Sequence, residues 1–131
     1  MGHRCSDTRA MTFKNVKVPK ENLLGKLGDG WKIAMKTLDH SRPLIGSSAV
    51  GGAQAALDHS LRYAKERLQF EVPLCNHQAI QMMVADMAMK VEASRLLVQK
   101  AAWLLDNGQK NTQHASMAKA MASDTCMEVA T

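Results

Sequence analysis

Residues Ala64–Cys75 read AKERLQFEVPLC, and they separate two long stretches in which apolar residues recur at helical spacing. Pro73 cannot donate a backbone hydrogen bond, and the apolar period lapses between Phe70 and Asn76, so this segment reads as a turn between helices. Upstream, Ile45, Ala49, Ala53, Ala56, Leu57, Leu61 and Ala64 share one helical face and mark a helix from about Arg42 to Leu68. Downstream, Ile80, Met83, Val84, Met87, Val91, Val98, Ala102 and Leu105 mark a second from about His77 to Asn107, with Gly108 as its stop signal. Two long helices joined by a short turn must pack antiparallel. The expected fold class is therefore all-α, an antiparallel up-down helical bundle with a short β-strand remnant at its N-terminal end.

Working outward, a shorter helix is expected from Trp31, using Ile33, Ala34 and Leu38, and Asp39–Pro43 should interrupt it, with Ser41 as the next N-cap. Gly25, Gly28 and Gly30 make a turn-rich connection before that helix. The opening residues through Lys20 read as one or two strands: Met11 and Phe13 share a face, and Val16 and Val18 follow after Asn15 breaks the register. A last helix begins near Thr112, carries Ala115, Met117, Ala118, Met121 and Ala122, and reaches Thr131 without a stop signal, as a helical domain cut short would. Residues 1–28 and 29–131 thus separate into a strand-like front with its linker and a helical body. Two packing expectations follow. The run GSSAVGGA, residues 46–53, predicts close approach of another helix. Met82, Met89, Leu96, Leu97 and Leu104 lie off the main stripe, which predicts cover from a further helix or a second subunit.

Composition agrees with this class. Of 131 residues 46% are hydrophobic but only 4% aromatic, and ten Met with many Ala suit helices packed through small and flexible side chains. Cys5, Cys75 and Cys126 are odd in number and widely spaced, which argues against a disulfide framework and for a reducing compartment. No apolar run approaches a membrane span, and the start lacks a signal-peptide pattern, so no membrane span and no secretion are expected. MGHRCS fits the short N-myristoylation pattern, a weak signal that is set aside. The net charge of +5 comes from residues 1–42, which hold nine Lys or Arg against four acids, whereas the remainder is balanced at eight of each. Those bases are scattered, so a solvated surface is expected and no nucleic-acid partner.

The candidates for chemistry are few. His3, His40, His59, His77 and His114 show no metal-binding spacing, so no metal is expected. The glycines do not form G-x-G-x-x-G, and Ser47 and Ser48 have no neighbouring base. Two clusters remain. Asp39, His40, Ser41 and Arg42 gather at the expected helix junction, where a guanidinium and free N–H groups can hold a polar ligand or simply cap a helix. Arg67, Leu68, Gln69, Phe70, His77 and Gln78 bracket the Pro73 loop and offer a cation, an aromatic surface and amide groups.

GHRCSDTRAMTFKNVKVPKENLLGKLGDGWKIAMKTLDHSRP (residues 2–43), GGAQAALDHSLRYAKERLQF (51–70), HQAI (77–80), ADMAMKVEASRLL (85–97), KAAWLLDNG (100–108) and ASMAKAMASD (115–124) together resemble acyl-CoA dehydrogenases, particularly the medium-chain type. The resemblance covers the end of the middle β domain and most of the C-terminal helical domain, in family order. It implies an FAD-dependent oxidoreductase of fatty acyl-CoA β-oxidation, assembled as a homo-oligomer and passing electrons to electron-transfer flavoprotein. It implies localisation in the mitochondrial matrix of a eukaryote or the cytoplasm of a bacterium. Asp39, His40, Ser41 and Arg42 match a stretch lining the acyl-CoA pocket, with Arg42 a polar anchor. Arg67, Leu68 and Gln69, with Phe70 beside them, match an FAD-contacting stretch in which Arg67 pairs with the pyrophosphate, and His77 and Gln78 match a second one.

Two departures stand out: Glu71 follows Phe70 where the family commonly has Gly, and Gln69 replaces a small hydroxyl residue. The reaction also needs a carboxylate base near the substrate α carbon. Most members place that Glu beyond the stretch matched here, and others place it at the position of Ser41. The chain is therefore expected to be a truncated and, by itself, inactive dehydrogenase, with no catalytic residue assigned. The alternative is a non-enzymatic helical module that pairs with itself or with full-length subunits.

Overall fold

The computed structural model describes residues 5–131; the first residues of the myristoylation pattern, and His3, lie outside them. Three helices carry the fold: α1 (Gly30–Glu66), α2 (Gln78–Asp106) and α3 (Thr112–Ala130). Between α1 and α2 lies a two-stranded antiparallel hairpin, β1 (Leu68–Gln69) with β2 (Val72–Pro73), in which Leu68 pairs with Pro73 and Gln69 with Val72. Short connections make α2 antiparallel to both neighbours, so α1 and α3 run side by side in the same direction. The all-α bundle is as the apolar periods require.

The first correction concerns α1. The short helix and the long one expected on either side of Asp39–Pro43 are a single helix of 37 residues, with Pro43 buried inside it. Proline at that position removes the hydrogen bond that residue 43 would give to the carbonyl of Asp39. Here the Asp39 carbonyl accepts instead from Asn111 Nδ2 at 3.0 Å, and Asn111 is buried at the start of α3. The group that proline orphans is satisfied from another helix, so the chain has no need to break. Ser41 is accordingly no N-cap; its Oγ reaches back to the Leu38 carbonyl at 3.5 Å.

The second correction concerns the front. Residues 11–18 form no strand, and every residue from Cys5 to Gly28 is exposed. A strand needs a pairing edge, and the bundle offers none to this segment. The glycine connection behaves as expected, with Gly25 and Gly28 at φ 76° and 93° just before α1.

The core is built from small side chains. Val50, Ala53, Leu57 and Ala64 of α1 meet Val91, Ala101 and Leu104 of α2 and Ala115, Ala118, Ala122 and Val129 of α3. The expected close approach at residues 46–53 is real: a Cβ on Gly46 would stand 3.0 Å from Val98 Cγ2 and 3.4 Å from the Ala118 carbonyl oxygen, and one on Gly52 would stand 3.1 Å from Cys126 Sγ. Most of the expected stripes face the core: Ala53, Leu57 and Val91 are buried, with Ala56, Leu61, Val84 and Met87 packed against them. The exceptions are Ile45 and Met83, which are exposed, and Ser94 and Leu104, which are buried. Ser94 Oγ donates to Thr125 Oγ1 at 3.1 Å, which satisfies that pair inside the core. The C-terminal end of α2 closes as a Schellman motif, with Gly108 at φ 66°, its N–H bonded to Leu105 O and that of Gln109 to Leu104 O. No helix of the described residues is long and apolar enough to cross a membrane.

Candidate functional site

Asp39, His40, Ser41 and Arg42 occupy consecutive positions in the interior of α1 rather than a junction. Helical geometry turns them to different sides, and α3 determines what each can do. The Asp39 carboxylate accepts from Thr112 Oγ1 at 2.6 Å and stands 3.9 Å from Arg42 Nη1. Arg42 Nη1 donates to Ser116 Oγ at 3.0 Å, and Ser116 Oγ in turn donates to the Thr112 carbonyl at 2.9 Å. The guanidinium is about one-third exposed, enough to offer its remaining N–H groups to a ligand. His40 points elsewhere: its Nδ1 lies 2.8 Å from the Lys36 carbonyl, and the ring borders a recess of about 370 Å³ between α1 and the α2–α3 connection, shared with Lys36, Asp39 and Lys110. The sequence reading missed Asn111, Thr112 and Ser116. Asn-Thr before an apolar period signals only a helix start, and nothing local reveals that the Asn side chain is spent on α1.

The second cluster is held by the hairpin. Both residues of its tight turn, Phe70 and Glu71, have positive φ, 53° and 65°, the backbone signature of a type I′ turn. Non-glycine residues adopt it at a cost of about 1 kcal/mol or more each. The glycine commonly found in the family at the place of Glu71 is thus explained by backbone conformation. Leu74 N–H donates to the Arg67 carbonyl at 2.9 Å, closing the hairpin onto the end of α1. His77 Nε2 lies 3.2 Å from the Gln69 carbonyl, and its ring meets Phe70 edge-on at 6.1 Å between centroids. Phe70 remains 81% exposed. Arg67 is exposed and makes no ion pair among the described residues, and Gln78 opens α2, whose N-cap residue His77 makes no side-chain cap. A free guanidinium, an exposed ring and uncapped helix N–H groups on one surface form a donor set that fits a cofactor carrying both phosphate and an aromatic system. Glu71 places a carboxylate on the same turn.

The structure does not bring the two clusters together. One lies in the first third of α1 and the other begins just past its C-terminal end, about 40 Å away at helical rise. Among the described residues no group of three or more His, Cys, Asp or Glu could hold a metal ion.

A helical bundle with these two polar clusters has close counterparts. Residues 28–131 match the family described as acyl-CoA dehydrogenase, C-terminal domain. Over all 131 residues the chain is 47% identical to cyclohexane-1-carbonyl-CoA dehydrogenase of Geobacter metallireducens, covering 34% of that protein. It is 50% identical to subunit CarC of the caffeyl-CoA reductase–Etf complex of Acetobacterium woodii over 93% of this chain and 32% of that one. Butyryl-CoA dehydrogenase from Megasphaera elsdenii shares its fold with a TM-score of 0.85 and 49% identity, over 89% of this chain and 30% of that one. The chain belongs to the acyl-CoA dehydrogenase family, whose members are FAD flavoproteins. It spans about a third of the length of these relatives.

Proposed function

We propose that these 131 residues serve an FAD-dependent acyl-CoA dehydrogenase that desaturates fatty acyl-CoA thioesters between the α and β carbons, and that they do not turn over alone. The separation of the two polar clusters along α1 carries this reading. One chain with its clusters this far apart cannot close both around a single substrate and cofactor, so each cluster forms one wall of a site completed by other protein. In that arrangement Arg42, with Asp39, His40 and Ser41 around it, anchors the polar part of the acyl-CoA. Arg67 pairs with the cofactor pyrophosphate, Leu68, Gln69 and Phe70 line the approach, and His77 and Gln78 supply hydrogen bonds at the start of α2. FAD, when bound, supplies the hydride acceptor.

Among the described residues, neither polar side chain of the acyl-CoA stretch that could be considered as a base is assigned that role. The Asp39 carboxylate is committed to Thr112, and the Ser41 hydroxyl is turned to its own helix. Electron-transfer flavoprotein is the proposed electron acceptor of the complete enzyme, in keeping with the Etf complex named for one relative. The test is direct: the purified chain is mixed with FAD, gel-filtered, and assayed for acyl-CoA-dependent dye reduction. A peak without steady dye reduction is expected. Steady turnover would show that a base and a complete cofactor site are present in these residues.

A further inference from the structure

Lys36 and His40 of α1 and Gln109 and Lys110 of the α2–α3 connection line one recess of about 370 Å³, beside Asp39 and Asn111. That volume is at the lower end of the range for small-molecule sites, about 300–1,000 Å³. Some of its polar groups are already spent. Asn111 Nδ2 donates to the Asp39 carbonyl at 3.0 Å and to that of Ala101 at 3.4 Å. The Asp39 carboxylate accepts from Thr112 Oγ1 at 2.6 Å, stands 3.9 Å from Arg42 Nη1 and is 19% exposed, so the one acid at the recess already faces a cation. His40 Nδ1 lies 2.8 Å from the Lys36 carbonyl. A carbonyl can only accept, so the ring proton sits on Nδ1 and Nε2 is the nitrogen left over. Lys36 and Lys110 are exposed, and neither makes an ion pair among the described residues.

Two like charges on one recess, with its acid already matched, leave a positive potential that an anion relieves. We infer that the recess binds a phosphate monoester of a sugar or nucleoside, the phosphate between Lys36 and Lys110 and a sugar hydroxyl donating to His40 Nε2. Lys36 and His40 stand four residues apart in α1 and so share one face. Lys110 reaches them from far along the chain, carried by the turn at Gly108 and held by Asn111, which ties the start of α3 to α1. An ammonium group serves phosphate as a point charge, so two lysines need no bidentate geometry to hold it. Sulfate, which has no hydroxyl to give, would use the lysines and leave Nε2 without a donor. Binding at this recess does not depend on the dehydrogenase reading. The ligand is either a free sugar phosphate or the 3′-phosphorylated ribose of coenzyme A, which carry the same chemistry.

The experiment is a calorimetric titration of the whole chain with ribose 5-phosphate and with adenosine 3′,5′-bisphosphate, which matches the end of coenzyme A, with sulfate as the reference. Saturable binding of at least one ester is expected, about threefold or more tighter than sulfate. A preference for the bisphosphate assigns the recess to coenzyme A, and equal or tighter binding of ribose 5-phosphate assigns it to a free sugar phosphate. Lys36→Gln and Lys110→Gln should each weaken binding about fivefold or more, and Lys36→Arg should retain it. Lys119→Gln, at an exposed position of α3 outside the recess, should change it less than about twofold at 0.1 M salt, where distant charges are screened. His40→Phe should erase the preference over sulfate. Circular dichroism checks that each variant keeps its helices. Absence of binding, sulfate bound as tightly as the esters, a preference that survives His40→Phe, or equal losses at Lys110 and Lys119 overturns the site. The dye-reduction assay is independent of that result, so the dehydrogenase reading stands or falls separately.

Discussion

Pro43 and Asn111 are far apart in sequence, yet each makes sense only through the other. Proline deprives the Asp39 carbonyl of its helical donor, and Asn111 Nδ2 supplies one at 3.0 Å from a buried position. Replacing Asn111 by Ala should therefore destabilise the chain by about 1–3 kcal/mol, the cost of leaving a buried carbonyl unmet. In a Pro43→Ala background the helix regains its own N–H, so the same change should cost clearly less. A double-mutant cycle by urea unfolding reads this coupling directly, and strict additivity would refute it. Arg42 and Asp39 are fixed by the same local traffic, through Ser116 and Thr112. No property of Asp39–Arg42 in isolation distinguishes such an arrangement from a helix junction, which is why the residues of the candidate site were legible and their setting was not.

Among the elements, α1 and α3 approach along a face of glycine and alanine. Gly46 is the tightest point, since a methyl there would press on both Val98 and the Ala118 backbone. Gly46→Ala should destabilise by about 1–3 kcal/mol as an overpacked seam. At Gly51 a Cβ would meet nothing within 4 Å, so Gly51→Ala should be neutral or stabilise by up to about 1 kcal/mol through helix propensity. Chemical denaturation of the two variants checks the sign of each, and equal effects would mean that propensity rather than packing governs the helix. The GSSAVGGA run already pointed to this contact, because interior glycines in a helix are tolerated mainly where a neighbour comes close. Which glycine bears the contact was not legible, because the apolar stripe began at Ile45, which is exposed, whereas its neighbour Gly46 is buried.

For the molecule as a whole, Lys90 ties α2 to α3 by pairing with Asp86 and Glu128. Its hydrogen bond to Asp86, and next that to Glu128, raise its pKa above the ordinary 10.5. A pKa raised on folding contributes stability that is fully present below the unfolded value and is lost as pH rises through the folded one. Melting temperatures of the wild type and Lys90→Met should thus differ at neutral pH and converge at pH above 10.5. A gap that persists in strong alkali would show that Lys90 acts through packing of its stem instead. The charged triad, the exposed apolar face of α2 and the hairpin cluster all lie on outer surfaces, with the core supplied mostly by small residues.

The sequence by itself determined the class of the fold, the helix ends at Gly108 and Thr112, the family, and which residues are candidates for ligands. These rest on periods, stop signals and contiguous motifs, all of which are local in the chain. Tertiary structure alone decided that Pro43 lies inside a helix, that residues 11–18 form no strand, and that the two candidate clusters stand about 40 Å apart. Each of these turns on a partner distant in sequence: Asn111 for the freed carbonyl, a sheet edge for the strand, and one unbroken helix for the separation. Hydrogen-bond satisfaction is settled across the whole fold, so a local reading assigned a break where another helix had already provided the missing donor.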